Sequence, residues 1–116
     1  MAAADRALAA DSASANLPTV VWAYRRTGKF AFHVLTGALE SDARTAAAPI
    51  VFANGVAAVV AAARQALASS SARVLVGWSF YSPDAPAMFA ELAAVKAQVG
   101  DPRVQHVCGG VHASAE

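Results

Sequence analysis

Three short segments of this chain hold the residue types that could contact a ligand. Residues 25–29 (Arg-Arg-Thr-Gly-Lys) form a basic turn that could meet a phosphate or a carboxylate. Residues 79–83 (Ser-Phe-Tyr-Ser-Pro) bring hydroxyl groups to the end of an apolar run. Residues 109–112 (Gly-Gly-Val-His) combine a backbone that a ligand can approach closely with a histidine. Each segment also suits an ordinary turn, so the residue types alone leave both interpretations open.

Gly77 and Ser79 stand out beside the second of these segments. Glycine weakens a strand, so Gly77 is explained if another backbone or a ligand comes close to it. Ser79 has a hydroxyl that can both donate and accept a hydrogen bond. The alternative is a tight strand exit followed by a helix cap, which needs no ligand.

The sequence lacks the residues that several common ligand sites and catalytic sites require. The glycines match neither the dinucleotide fingerprint Gly-x-Gly-x-x-Gly nor a phosphate-binding loop ending in Lys-Ser or Lys-Thr. The single cysteine, Cys108, excludes an internal disulfide and a cysteine cluster for zinc or iron–sulfur within this chain. His33, His106 and His112 share no zinc-site spacing, and no Ser/His/Asp set or carboxylate pair indicates catalysis. A net charge of +1 gives no reason to expect nucleic acid or an anionic membrane as a partner.

The elements that must position these segments follow from hydrophobic patterning. Apolar, β-branched runs predict strands at residues 18–24, 49–53, 73–80 and 103–108. Apolar residues at helical spacing predict helices that begin near residues 30, 56 and 83. Strands that are apolar along their length are buried on both faces, as in a parallel sheet between helix layers. The fold class is therefore α/β: a flavodoxin-like (Rossmann-like) doubly wound parallel sheet with strand order 2-1-3-4.

This fold places the three segments together. Ligands of doubly wound sheets bind beyond the carboxyl ends of the strands, where all three segments are expected. His112, beside the two glycines, is the histidine best placed for ligand contact. His106 lies on the fourth predicted strand, where alternation makes it a hydrogen-bonded partner or an interface residue.

Residues 17–116 are expected to form one incomplete domain after a disordered Ala/Ser-rich lead-in at residues 1–16. A flavodoxin-like fold normally closes with a fifth strand and helix, and the prediction finds neither. The fourth strand, with Val104, Val107 and Cys108, is therefore expected to be an apolar edge. Either the sequence is a fragment, or another chain or domain covers this edge. The cysteine usage and the lack of a signal peptide or an apolar run of about 20 residues favour the cytoplasm.

Two motifs together resemble a known family. Residues 76–83 (Val-Gly-Trp-Ser-Phe-Tyr-Ser-Pro) and, one βα unit later, residues 108–114 (Cys-Gly-Gly-Val-His-Ala-Ser) are similar to the cobalamin-binding domain that precedes the catalytic domain of radical SAM proteins. Residues 24–40 resemble one subgroup of these proteins. The resemblance covers residues 19–114.

The resemblance implies cobalamin as the cofactor and assigns roles to several residues. Ser79 would hydrogen-bond the buried dimethylbenzimidazole tail, and Gly77 would leave room beside it. Gly109 and Gly110 would let the tail pass along the backbone. The cofactor-binding residues implied in this way are Gly77, Ser79, Phe80, Ser82, Gly109, Gly110, His112, Thr27 and Gly28.

The chain departs from the wider family in three places. Residues 25–29 replace the Asp-x-His-x-x-Gly motif whose histidine ligates cobalt, which implies binding without a protein histidine on the metal. Val111 stands where proline is usual. The Cys-x-x-x-Cys-x-x-Cys motif is absent, so a 4Fe–4S cluster and S-adenosylmethionine are expected only in a downstream radical SAM domain. This stretch alone is therefore expected to have no catalytic residues.

Two other functions remain open at this level. The chain could be a cofactor-free flavodoxin-like interaction module, or a degenerate domain with a structural role only. A receiver domain fits poorly, because the acidic cluster and the phosphorylated aspartate that it needs are replaced by Arg25, Arg26 and Ser79.

Overall fold

The computed structural model describes residues 17–24, 29–70, 72–79, 83 and 85–109. Of the residues predicted to contact a cofactor, Gly77, Ser79 and Gly109 lie in this part of the chain. The other predicted contacts lie outside the described residues: Thr27, Gly28, Phe80, Ser82, Gly110 and His112. The predicted lead-in at residues 1–16 lies outside them too.

The described elements alternate strand and helix, as the hydrophobic pattern predicts. They are β1 (Thr19–Ala23), α1 (Lys29–Ser41), β2 (Ile50–Ala53), α2 (Val56–Ser69), β3 (Val74–Ser79), α3 (Ala85–Gln98) and β4 (Val104–Gly109). The four strands are parallel and lie in the order β2-β1-β3-β4, which confirms the predicted flavodoxin-like arrangement. Gly55 caps α2 with φ 92°, a conformation that glycine adopts readily.

Helices α2 and α3 cover one face of the sheet. Val21, Val76 and Trp78 point to this side and are almost fully buried, as their alternation along β1 and β3 requires. Val59 of α2 and Met88 of α3 belong to the same cluster. This cluster is the larger of the two that form the core of the described chain.

Helix α1 packs on the opposite face, over β1 and β3. Val20 and Trp22 point to this side and meet Phe32, which is 1% exposed. Leu39 and Ile50 pack against this second cluster. On this face the sheet is exposed at Val107 of β4.

Strand β4 is the outer strand of the described sheet and pairs with β3 alone. Val107 is 57% exposed, and Cys108 is exposed as well. Val104 packs against the larger cluster. The predicted apolar edge is thus confirmed at Val107 and Cys108, whereas Val104 is partly buried against the core. Among the described helices, none has the length and apolar character needed to cross a membrane.

Candidate functional site

Ser79 and Gly109 lie side by side at the carboxyl edge of the sheet. They are register partners in the parallel pair of β3 and β4, although 30 positions separate them in the sequence. The predicted serine and glycine segments therefore begin next to each other. Two adjacent strand ends of this kind form the edge at which doubly wound sheets bind ligands.

The Ser79 side chain lies on the same face of the sheet as α1. Val76 and Trp78 point into the larger core, so alternation places Gly77 and Ser79 on the side of α1. Ser79 is 7% exposed and is the one buried polar residue among those described. Its hydroxyl is able both to donate and to accept a hydrogen bond.

An apolar cavity lies on the same face, between α1 and strands β1, β3 and β4. Its volume is about 240 Å³. Its lining residues are Val20, Trp22, Leu35, Leu39, Leu75, Gly77 and Val107. None of these side chains carries a charge, so the cavity suits a neutral apolar group. The volume lies below the range of roughly 300–1,000 Å³ for whole-ligand pockets, which favours one ring system of a larger ligand.

Gly77 is a glycine because of Trp22. The two residues are register partners on β1 and β3. A Cβ atom at residue 77 would overlap Cε3 and Cζ3 of the Trp22 indole. The close neighbour that the sequence predicted at Gly77 is therefore a side chain of the next strand, where a backbone or a ligand was expected. Gly77 still lines the cavity.

The Trp22 indole is held in place from α1. Its Nε1–H donates a 2.8 Å hydrogen bond to Oγ1 of Thr36. Phe32, one turn earlier on α1, stacks on the indole with ring centroids 5.3 Å apart and an interplanar angle of 27°. One helix thus fixes both the tilt and the rotation of this ring.

Gly109 has open space beside it. A Cβ atom there would have no heavy atom of another described residue within 4 Å. Nothing in the described chain therefore requires a glycine at this strand end. A ligand that passes close to the backbone would require one.

His106 and Cys108 face away from the cavity. Trp78 Nε1–H donates a 3.0 Å hydrogen bond to His106 Nδ1, which confirms the predicted role of a hydrogen-bonded partner. Burial, with a smaller contribution from nearby Lys96, lowers the pKa of His106. Burial also raises the pKa of the Cys108 thiol, which disfavours the reactive thiolate.

His33 lies on the other flank of α1. Its ring stacks on Phe52 with centroids 5.5 Å apart and meets Tyr24 edge-on. Within the part of the chain that the structure describes, no three His, Cys, Asp or Glu side chains are grouped for a metal ion.

The sequence did not identify the walls of the cavity. Alternation along β1 places Trp22 on the face of Val20, and the helical stripe of α1 contains Leu35 and Leu39. Those signals were present, but which flank of α1 stays uncovered depends on how the helix lies across the sheet. Val107 was predicted only as part of the exposed edge.

Comparison with known proteins gives no assignment. No family model matches the chain, and neither the curated proteins nor the solved structures contain a significant match.

Proposed function

We propose that this chain is the cobalamin-binding portion of a radical SAM enzyme. Its role is to position the corrinoid for methyl transfer or related radical chemistry that a downstream domain carries out. The observation that supports this most is Ser79, a buried residue that pairs with Gly109 and lies two residues along β3 from the apolar cavity at Gly77. The motif resemblance of residues 76–83 and 108–114 supplies the identity of the cofactor.

The residues present fit the nucleotide tail of cobalamin. Its dimethylbenzimidazole ring is flat, uncharged and apolar, and the cavity of about 240 Å³ has apolar walls only. Ser79 would donate to a ring nitrogen, and open space beside Gly109 would admit the chain that joins the ring to the corrin. When bound, cobalamin supplies methyl-transfer chemistry; the chain's own residues hold and orient it.

The proposal also predicts the coordination state of the cobalt ion. In it the dimethylbenzimidazole is buried against the sheet and cannot also ligate cobalt, so the bound cofactor is base-off. Residues 25–29 hold no histidine to replace it. The 4Fe–4S cluster and S-adenosylmethionine belong to the downstream domain.

Retention of hydroxocobalamin tests the proposal. The purified chain is mixed with hydroxocobalamin, unbound cofactor is removed by gel filtration, and the absorbance spectrum is recorded. We expect retained corrinoid with a base-off spectrum, and we expect Ser79→Leu to abolish retention because leucine fills the space of the ring and removes the hydroxyl. Ser41→Leu, an exposed serine at the end of α1, is the matched control and retains the cofactor.

The outcome that overturns the proposal is a chain that is folded by circular dichroism yet retains no corrinoid. That outcome favours the second candidate, a cofactor-free interaction module, which is supported by the open β4 edge with Val107 57% exposed. An exposed strand edge can add a strand from another chain. Retention by both Ser79→Leu and Ser41→Leu would show that the corrinoid binds elsewhere.

A further inference from the structure

We infer that Trp22 is the wall against which the ligand's flat aromatic ring stacks, and that Thr36 is the positioning residue that holds this wall at its angle. The inference rests on the proposed function for the identity of the ligand. The narrower claim, that the ligand carries a neutral aromatic ring, rests on the cavity alone.

The geometry at Gly77 shows which part of the indole is free. The nearest indole atoms to a Cβ at residue 77 would be Cε3 and Cζ3, two neighbouring atoms of the six-membered ring, whereas Cδ2 would be 3.8 Å away. Gly77 therefore meets the edge of the indole rather than its face. The ring stands on its edge above the sheet.

Phe32 covers one of the two faces that this upright ring presents. Its ring is stacked on the indole at 5.3 Å. Trp22 also lines the cavity, together with Leu75 and Val107 of the neighbouring strands. With one edge on Gly77 and one face on Phe32, the opposite face is the part that borders the cavity. An aromatic ring entering there finds an aromatic face on one side and aliphatic side chains on the other.

Thr36 limits the rotation of the Trp22 indole about its side-chain bonds. The 2.8 Å hydrogen bond from Nε1–H to Thr36 Oγ1 lies on the five-membered ring, away from the Gly77 contact. Without it, the indole could rotate about its side-chain bonds and lean into the space that the ligand ring needs. Thr36 has no place in the cavity lining, so its effect on binding acts through Trp22.

The experiment measures binding of two probes, free 5,6-dimethylbenzimidazole and hydroxocobalamin. In a Trp78→Phe background Trp22 is the only tryptophan, and its fluorescence reports on the cavity. We expect dimethylbenzimidazole to quench Trp22 with saturation. Trp22→Leu, followed by equilibrium dialysis of the same probe, is expected to weaken binding about two- to tenfold.

Thr36→Val tests the positioning role. It removes the acceptor at nearly constant shape, and we expect affinity for dimethylbenzimidazole to fall by about fivefold, the worth of one hydrogen bond. Thr36→Ser restores the hydroxyl and is expected to restore affinity. Thr19→Val is the matched control, because Thr19 alternates with Val20 along β1, lies on the other face of the sheet and does not line the cavity. It is expected to leave affinity unchanged.

The possible outcomes separate this inference from the proposed function. Binding of dimethylbenzimidazole that depends on Trp22, without retention of hydroxocobalamin, upholds the aromatic-ring site and refutes the cobalamin assignment. Equal retention of hydroxocobalamin by the parent chain, Trp22→Leu and Thr36→Val refutes the inference and leaves the proposed function standing. Failure of both probes refutes both. If Trp78→Phe does not fold, the indole N–H resonance of Trp22 in the parent chain reports the same binding, identified by its loss in Trp22→Phe.

Discussion

The indole of Trp78 donates a 3.0 Å hydrogen bond to Nδ1 of His106, across the neighbouring strands β3 and β4. The two rings lie 6.1 Å apart at 30°. Because Nδ1 accepts this bond, its proton must be absent, and the neutral ring carries its proton on Nε2. The pair ties the open outer strand to the core at a position where Trp78 is 3% exposed.

The partly buried His106 also makes stability depend on pH. Burial first, and Lys96 second, lower the pKa of His106 below its ordinary value of 6.5, so the folded chain binds this proton less readily than the unfolded chain. The stabilisation is complete above pH 6.5 and is lost as the pH falls through 6.5 toward the lowered pKa. We expect the urea midpoint to fall over that window, and His106→Gln, which cannot titrate, to lose less. An NMR titration of His106 that gave a pKa above 6.5 would contradict this.

Gly77→Ala is expected to destabilise the chain by about 1–3 kcal/mol, because the added methyl group overlaps the edge of the Trp22 indole. Urea unfolding measures the change. Gly100→Ala is the control, since a Cβ there meets no heavy atom of another described residue within 4 Å. The double variant Trp22→Leu/Gly77→Ala should show less than the sum of the two losses. Additive losses would mean that the contact is not responsible.

Phe30 and Phe32 lie two residues apart on α1, and we expect their alanine variants to lose very different amounts of stability. Phe32 is 1% exposed against Trp22, whereas Phe30 is 79% exposed. Phe32→Ala should therefore lower the free energy of unfolding by about 3–5 kcal/mol, and Phe30→Ala should change it by no more than about 0.5 kcal/mol. Should Phe32→Ala unfold the chain outright, Phe32→Leu provides the graded comparison. Equal losses at both positions would show that α1 does not pack through Phe32.

Gly109→Ala is expected to weaken cofactor binding while leaving the free energy of unfolding nearly unchanged. Because the space beside Gly109 is open, the change should alter the free energy of unfolding by no more than about 0.5 kcal/mol. The same methyl group would stand in the path of the proposed cofactor and should reduce retained hydroxocobalamin. Retention equal to that of the parent chain would remove Gly109 from the site.

The exposed side chain of Val107 on the outer strand is expected to promote association of the chain with itself. Val107→Lys places a charge on this edge, which disfavours pairing of strands between molecules. Light scattering after gel filtration should show a smaller rise of apparent mass with concentration for Val107→Lys than for the parent chain. Val51→Lys, on the other outer strand, is the matched control. If it suppresses association equally, the effect is general charge repulsion rather than the β4 edge.

The strands, the helices and the strand order could be predicted from the sequence. Apolar runs and helical stripes repeat on short length scales, so they place each element without knowledge of its neighbours. The handedness of βαβ crossovers then leaves few strand orders, and 2-1-3-4 is the one observed. Because parallel strands share one carboxyl edge, Ser79 and Gly109 could be expected to lie near each other.

The partner of Gly77 was decided by tertiary structure. The sequence indicated that something must come close to this glycine, but the neighbour depends on the register between β1 and β3, which lie more than 50 positions apart in the chain. The angle at which α1 crosses the sheet also depends on contacts between residues that are distant in the sequence. It brings Phe32 and Thr36 onto Trp22, and it leaves a cavity beside Leu35. Short-range patterns thus determined the elements and their order, whereas the cavity exists only because distant elements pack at one particular register and angle.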